Sequence, residues 1–211
     1  TIETAALIIA TGSSPRELGI PAEAALKNKG VSYCATCDGP FFRGKEVAVV
    51  GGGDSALEEA LFLSRFASQV HLIHRRGEFR GSIIMRERVL ANAKITVHWH
   101  AVVANLADPS ARKLTSLTLK DPRNGNTSPL PCDGLFVAIG HIPNTALFED
   151  ALTLNNGYIV LMSNESSATS IPGVFAAGDC ADQVYRQAIT AAGMGCRAAI
   201  DAERWLASKN Q

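Results

Sequence analysis

The sequence predicts an α/β fold of two domains, one inserted into the other, and two observations carry this prediction. The apolar runs Val47–Val50 and Val70–Ile73 are separated by three glycines and a helical stretch from Asp54, which is the order and length of one βαβ unit. Three further apolar runs end in small residues and glycine and lie on both sides of that unit: 7–10, 135–139 and 174–177. An outer domain that is interrupted and then resumes has this order.

The remaining patterns predict a helix over 82–93 and short strands over 95–99 and 114–119. The dipeptide Asn124-Gly125 is a hairpin signal, so we expect a small β-meander beside the βαβ unit. A long helix over 187–207 completes the chain. Prolines mark the two places where we expect the chain to cross between domains, and the domain ranges that follow are 1–15, 16–131 and 132–211.

Composition and charge narrow the function classes. The 211 residues are 46% apolar, which is enough for a hydrophobic core. Twenty basic side chains balance twenty acidic ones, which argues against a protein that coats nucleic acid or an anionic membrane. Apolar runs stay well short of the ~18 residues of a membrane span. Five cysteines are an odd, thinly spread set, so we expect a cytoplasmic protein in which any disulfide serves redox chemistry.

A glycine-rich turn stands between the first strand and helix of the βαβ unit. Gly51, Gly53 and Ala56 match G-x-G-x-x-A, with Asp54 and Ser55 in the intervening positions. Such a turn lets a pyrophosphate approach the backbone at the positive end of a helix, which indicates a Rossmann-like nucleotide site. A second match, at 193–198, lies in an Ala-rich helical stretch, where we expect its small residues to allow close packing instead.

Basic residues follow the second strand of the unit. NAD sites place a carboxylate about 20 residues beyond the glycines, where it binds the ribose hydroxyls. Here the chain has His74, Arg75 and Arg76, and then Arg80. Guanidinium groups suit the 2′-phosphate of NADP, which a carboxylate would repel. The alternative is a solvated, basic start of a helix.

The segment Cys34-Ala35-Thr36-Cys37-Asp38 has three interpretations: half of a zinc site, a redox disulfide, or two unremarkable thiols. The other cysteines are isolated and the five histidines form no H-x₃₋₅-H pair, so we predict no metal site. C-x-x-C geometry lowers the pKa of one thiol, which favours the redox pair. Asp38 could exchange a proton with the leaving thiolate, the alternative being a solvated turn aspartate.

Gly178-Asp179 ends the last apolar run, and Tyr185–Ala188 stand where the final helix begins. A carboxylate in this position can accept hydrogen bonds from a polyol or ribose, and the helix N-terminus favours negative charge on a ligand. An ordinary strand–loop–helix connection is the alternative.

Together these segments resemble the low-molecular-weight thioredoxin reductase family of flavoproteins. The matching segments occur in family order along the chain: Cys34–Gly39, Val49–Ala56, His74–Arg76 with Phe79-Arg80, Ala138–His141 with Pro143–Thr145, and Ile171–Asp179 with Tyr185–Ala188. The resemblance implies a homodimer of the pyridine nucleotide-disulfide reductase type. Electrons would pass from NADPH to FAD, then to Cys34 and Cys37, and then to thioredoxin.

The resemblance also implies a role for each site residue. Cys37 would be the thiol nearest the flavin, Cys34 would attack thioredoxin, and Asp38 would be the acid. The residues implied for NADPH are Gly51, Gly53, Asp54, Ser55, Ala56, His74, Arg75, Arg76 and Arg80. Those implied for FAD are Thr11, Gly12, Gly178, Asp179, Arg186, Gln187 and Ala188.

The same resemblance makes 16–131 an NADPH domain that carries the redox pair and is inserted into an FAD domain, 1–15 with 132–211. Family members begin with an FAD-binding βαβ unit that would precede Thr1, so we expect an N-terminally incomplete chain. Two alternatives remain for the function. One is a non-catalytic NADPH-binding fragment that cannot hold FAD. The other is the flavoprotein subunit of alkyl hydroperoxide reductase, whose relatives favour NADH.

Overall fold

A computed structural model describes residues 2–107 and 113–209 and divides the chain into two compact units. The central unit is Pro15–Gly140, and the flanking unit is Thr1–Ser14 together with His141–Gln211. Both names refer only to order along the chain.

The strands are short, and they are listed in chain order: β1 (Leu7–Ile9), β2 (Ser13–Pro15), β3 (Val31–Ser32), β4 (Glu46–Val50), β5 (Gln69–His74), β6 (Ile95–Trp99), β7 (Val102–Leu106), β8 (Ser116–Lys120), β9 (Thr127–Pro131), β10 (Gly134–Val137), β11 (His141–Pro143), β12 (Leu154–Asn155), β13 (Tyr158–Ile159) and β14 (Val174–Ala176). The α-helices are α1 (Glu23–Leu26), α2 (Ala35–Asp38), α3 (Asp54–Leu63), α4 (Ile83–Leu90) and α5 (Ala188–Lys209).

A parallel sheet in the order β3-β10-β4-β5-β6 forms the core of the central unit. In β4, Val47 and Val49 face α3 and α4, whereas Ala48 faces the antiparallel meander β7-β8-β9. Both faces of the sheet are therefore covered, which explains why its strands are continuous apolar runs without alternation. The predicted βαβ unit corresponds to β4, α3 and β5. A meander is present and consists of β7, β8 and β9, whereas the predicted strand over 95–99 is β6 of the parallel sheet.

β10 corrects the expected domain boundary. The boundary predicted at residue 132 assigns the run at 135–139 to the outer domain. In the structure β10 pairs with β3 and with β4, where Phe136 lies opposite Ser32 and Val49. The central unit therefore extends to Gly140. The sequence of an apolar run between two domains does not reveal which sheet its strand joins. In this protein the strand joins the sheet of the central unit, between β3 and β4.

In the flanking unit, β1 pairs in parallel with β14, and α5 packs on β14. Ala198 and Ala202 of α5 contact Phe175 and Ala177 in one buried cluster. The small alanine side chains allow the helix to approach the strands closely. β12 and β13 form a short antiparallel pair beside a second cluster.

Candidate functional site

The predicted site residues of the central unit follow three parallel strands at one edge of the sheet. Cys34 lies two residues after β3, the glycines follow β4, and His74 ends β5. Carboxyl ends of parallel strands share one edge, where α/β proteins bind their ligands. Because β10 separates β3 from β4, those two strand axes are about 10 Å apart at the usual spacing.

The glycine turn (Gly51–Gly53) leads into α3 as predicted. A Cβ at Gly51 would lie 2.5 Å from the Ala138 carbonyl oxygen and from the Ala56 methyl, so this backbone requires glycine. At Gly53, by contrast, an added Cβ would meet no described atom within 4 Å. No side chain caps α3 at Gly53. Its first N–H groups therefore suit an anion approaching over Gly53.

The second glycine match lies inside α5, so it forms no strand-to-helix turn. We expected its small residues to allow close packing. Among the described residues, however, no atom lies within 4 Å of a Cβ built at Gly193 or Gly195, so the close packing is not observed there.

The arginine loop (residues 75–81) joins β5 to the region before α4. Arg75, Arg76 and Arg80 are all exposed. Over residues 2–107 and 113–209, no carboxylate forms an ion pair with any of the three. A group of unneutralised guanidinium ions fits an anionic ligand. His74 is different, because it is only 6% exposed and lies beneath the glycine turn.

Asp54 and Ser82 connect the two nucleotide-site segments. The Ser82 N–H donates to Asp54 Oδ1 over 2.7 Å. The backbone N–H of Ser82, followed by its side chain, lowers the pKa of Asp54. Asp54 is thereby an anchor for the chain that follows the arginine loop. Ser55 and Ala56 form the first turn of α3, where the buried Ala56 methyl lies under Gly51.

Cys34 and Cys37 form a disulfide, with Cα atoms 5.3 Å apart. Cys34 is the N-cap of α2, and its Sγ accepts a hydrogen bond from the Cys37 N–H over 3.2 Å. Cys34 is partly buried and Cys37 is exposed. The remaining three cysteines, Cys132, Cys180 and Cys196, are free, which separates them from the redox pair. Burial, followed by the charge of Asp133, raises the pKa of Cys132 to about 12, so this thiol is unreactive.

Ser32 connects the predicted acid to the redox pair, and sequence reasoning missed it. Its hydroxyl donates to Asp38 Oδ2 over 2.6 Å and accepts from the Cys34 N–H over 3.1 Å. Ser32 is itself buried at the end of β3. Asp38 is thereby held beside the disulfide rather than in free solvent, which favours the acid–base interpretation over a solvated turn. A serine at the end of a two-residue strand gives no recognisable sequence signal.

Glu23 and Tyr33 belong to a second hydrogen-bond network next to Cys34, which the sequence did not predict. Buried Glu23 accepts hydrogen bonds from the N–H groups of Leu18 and Gly19 and from the Tyr33 hydroxyl. Burial, followed by the hydrogen bond to Glu23, raises the pKa of Tyr33. This network holds the backbone next to Cys34.

Five of the seven residues implied for FAD line one cavity of about 410 Å³ in the flanking unit. They are Gly12, Gly178, Asp179, Gln187 and Ala188. Most of the remaining wall is alanine or glycine. Asp179 Oδ2 accepts a weak hydrogen bond from the Ser13 hydroxyl at 3.4 Å. A pocket of small side chains with one carboxylate suits a large, flat ligand that carries hydroxyl groups.

Thr11 and Arg186 do not line this cavity. Arg186 instead donates to the Gln183 carbonyl and, at 3.4 Å, to the Tyr158 hydroxyl. Asp182, which sequence reasoning missed, holds the turn before α5 by accepting from the N–H groups of three successive residues: Val184, Tyr185 and Arg186. Burial opposes ionisation of Asp182, but these N–H groups outweigh it and lower its pKa.

Within residues 2–107 and 113–209, no group of three or more His, Cys, Asp and Glu side chains is arranged to hold a metal ion. Of the helices in that part of the chain, none has the length and apolar character to cross a membrane.

The chain is similar to known proteins over most of its length. The family model described as pyridine nucleotide-disulphide oxidoreductase matches residues 1–195. A thioredoxin reductase of Streptomyces clavuligerus is 51% identical over 203 residues, covering 96% of this chain and 62% of that protein. A glucosaminate ammonia-lyase of Pseudomonas fluorescens is 52% identical over 207 residues, covering 95% and 64%.

Among solved structures, a thioredoxin reductase from Giardia duodenalis matches with a TM-score of 0.88 at 43% identity. The match covers 96% of this chain and 66% of that protein. The chain thus spans slightly less than two thirds of the length of each of these three relatives.

Proposed function

The chain belongs to the pyridine nucleotide-disulphide oxidoreductase family, and from that premise we propose that the protein is an NADPH-dependent flavoprotein that reduces thioredoxin. One observation carries the proposal. The Cys34–Cys37 disulfide, the glycine turn and the arginine loop all follow strands of a single parallel sheet at its carboxyl edge. A reducible disulfide therefore shares one unit with a site suited to a phosphorylated nucleotide.

The central unit would bind NADPH. The open space over Gly53 and the uncapped N-terminus of α3 suit the pyrophosphate. Arg75, Arg76 and Arg80 would bind the 2′-phosphate, because they are exposed and have no acidic partner among the described residues. This arrangement favours NADPH over NADH, and it counts against the alkyl hydroperoxide reductase alternative.

The flanking unit would contact FAD through the cavity beside Gly178 and Asp179, with the carboxylate accepting hydrogen bonds from ligand hydroxyls. Bound NADPH and FAD would together supply two electrons to the disulfide. The S–S bond of Cys34 and Cys37 breaks as it takes up the two electrons and two protons and becomes two thiols. Ser32 donates a hydrogen bond to the Asp38 carboxylate, which would exchange protons with these sulfurs.

The dithiol would then reduce thioredoxin by exchange. The Cys34 thiolate attacks one sulfur of the thioredoxin disulfide and forms a mixed disulfide, and the Cys37 thiolate displaces it. The products are reduced thioredoxin and the Cys34–Cys37 disulfide, so electrons and bonds balance. We extend the proposal to a cytoplasmic homodimer. Apolar side chains that remain strongly exposed in the flanking unit support it: Val184, Tyr185 and Ile189.

A thiol count tests this function. The three free cysteines should react with a thiol reagent in the denatured, oxidised protein. After anaerobic incubation with FAD and NADPH, two more thiols should react, and oxidised thioredoxin should consume them. NADH should act much more slowly. If the count stays at three although NADPH is bound, the non-catalytic fragment is the better interpretation.

One relative is named as a glucosaminate ammonia-lyase, and that activity predicts a different experimental result. An elimination that releases ammonia does not require the sulfurs to change redox state. If the protein released ammonia from glucosaminate at the same rate with Cys34 and Cys37 oxidised, replaced or blocked, the reductase proposal would lose its basis.

A further inference from the structure

Both ring nitrogens of His74 point at backbone carbonyl oxygens. Nδ1 lies 2.9 Å from the Gly51 oxygen, in the glycine turn, and Nε2 lies 2.9 Å from the Glu78 oxygen, in the arginine loop. A carbonyl oxygen can only accept a hydrogen bond. A ring that donates to both oxygens at once therefore carries a hydrogen on each nitrogen, as an imidazolium cation.

The surroundings of the ring suit this cation, although it is only 6% exposed. A buried charge needs partners, and the two carbonyl dipoles supply them. The Phe79 and Trp99 rings pack against the imidazole, with centroids 5.3 and 6.0 Å from it. His74 is thus held between two carbonyl oxygens and two aromatic rings.

The middle glycine of the turn, Gly52, lies directly against the His74 ring. A Cβ built at Gly52 would overlap Cε1 and Nδ1 of His74. In a G-x-G-x-x-A turn this position accepts other residues. Here the imidazole lies directly against the backbone, so only glycine fits. Gly52 is therefore explained by His74 rather than by the nucleotide.

The arginine loop has further links to the turn. The N–H groups of Arg80 and Gly81 donate to the Gly52 oxygen over 2.7 and 3.2 Å. Arg86 donates to the Gly81 oxygen and forms an ion pair with Glu78. The bond from His74 to Glu78 fixes the middle of the loop, between the exposed Arg76 and Arg80.

We propose that His74 is a positioning residue for nucleotide specificity: as an imidazolium it clamps the arginine loop to the glycine turn and so holds the guanidinium groups where they bind a 2′-phosphate. The inference rests on the proposed NADPH function. It differs from direct ligation, because both ring nitrogens are already engaged with backbone oxygens. The pyrophosphate and the adenosine are common to NADP⁺ and NAD⁺. A clamp on the arginine loop therefore affects mainly the nucleotide that carries the additional phosphate.

The test uses His74→Phe, which keeps a ring against Gly52 but cannot donate. NADP⁺ and NAD⁺ affinities are measured by calorimetry. We expect NADP⁺ binding to weaken about tenfold or more, as for the loss of a charge-assisted bond, and NAD⁺ binding to change by less than about threefold. His71→Phe is the matched control, since His71 lies on the same strand and contacts His98 and Glu46 instead.

A second arm separates positioning from a merely structural role. In a chain that carries Arg75→Ala, Arg76→Ala and Arg80→Ala, adding His74→Phe should weaken NADP⁺ binding no further. Equal loss of NADP⁺ and NAD⁺ affinity would overturn the proposal, and so would an unchanged preference in His74→Phe. If the unmodified protein bound neither nucleotide, the proposed function itself would fail, which is a distinct result.

Nitrogen-15 NMR of the unmodified protein tests the clamp without any nucleotide. An imidazolium shows both ring nitrogens in the protonated range, whereas a neutral ring shows one of them far downfield. His74→Phe assigns the signal by its disappearance. The clamp requires both nitrogens of His74 to be protonated. A neutral ring would contradict the clamp even if the variants failed to fold.

Discussion

The central and flanking units differ in how far each holds its own candidate site together. In the central unit the glycine turn, His74 and the arginine loop are joined by backbone and side-chain hydrogen bonds. In the flanking unit the candidate residues line a cavity of small side chains, and the Asp179 carboxylate accepts a long hydrogen bond from the Ser13 hydroxyl. Asp182 stabilises the neighbouring turn instead.

The difference shows that a sequence motif predicts ligand specificity best when hydrogen bonds between its own residues hold them in place. A preorganised site needs little rearrangement to bind its ligand, so its specificity is already present in the chain. We therefore expect substitutions in the central unit to change selectivity, and those in the flanking unit to change chiefly local stability and ligand contact.

Replacing the redox pair should have the largest effect. With Cys37→Ser no disulfide can form, so NADPH-dependent reduction of thioredoxin should be abolished. NADP⁺ binding should remain, because the glycine turn and arginine loop are unchanged. Cys196→Ser is the control, since Cys196 is exposed on α5 and free. Substantial thioredoxin reduction by Cys37→Ser would show that the electrons take another route.

Alanine substitutions at two neighbouring glycines should differ in their effect on protein stability. Gly52→Ala forces a methyl into the His74 ring and should lower the free energy of unfolding by about 1–3 kcal/mol. Gly53→Ala meets open space, so stability should change by less than about 0.5 kcal/mol. The Gly53 methyl should nevertheless obstruct the pyrophosphate and weaken NADP⁺ binding. Urea unfolding and calorimetry measure the two effects, and equal destabilisation by both variants would refute this distinction.

Asp182→Asn tests the turn of the flanking unit. The variant loses a carboxylate that accepts three backbone N–H bonds, so we expect a loss of about 1–3 kcal/mol in unfolding free energy. The control is Asp150→Asn, at an exposed position.

The pH dependence of this loss follows from the lowered pKa of Asp182. The stabilisation is complete above the ordinary pKa of 3.8 and is lost as the pH falls through the lower pKa of the folded state. The difference between the native protein and Asp182→Asn should therefore narrow in acid. A difference that stays constant down to complete protonation would contradict the charge-based explanation.

The smallest expected effect concerns His98, on the edge strand β6. Burial, followed by the charge of neighbouring His71, lowers the pKa of His98. The contribution of neutral His98 to the free energy of unfolding is fully present above the ordinary pKa of 6.5. It is lost as the pH falls through the lower pKa of the folded state. His98→Gln should remove less than about 1 kcal/mol of acid sensitivity, because the ring is only half buried. In His71→Gln, burial remains as a cause, so a smaller pH dependence should persist in thermal unfolding.

Local pattern predicted the βαβ unit, the meander and the long helix, because each has its own periodicity and turn residues. Local pattern also predicts Cys34, Asp38 and the arginines as candidate site residues, because each lies at a recognisable spacing in the sequence. Pairing between distant strands left no such signal, and so β10 was assigned to the wrong unit. Ser32 and Asp182 were missed for a related reason. Their importance depends on hydrogen bonds that exist only once the chain has folded.

Titration of the chain with NADP⁺ in the absence of any flavin tests most directly whether the central unit holds a complete nucleotide site. We predict saturable binding, at least about tenfold tighter than that of NAD⁺, with an affinity that FAD changes by less than about twofold. The groups proposed to hold the nucleotide all lie between Pro15 and Gly140. Binding that appears only after FAD is added, or equal affinities for the two nucleotides, would contradict a self-contained site.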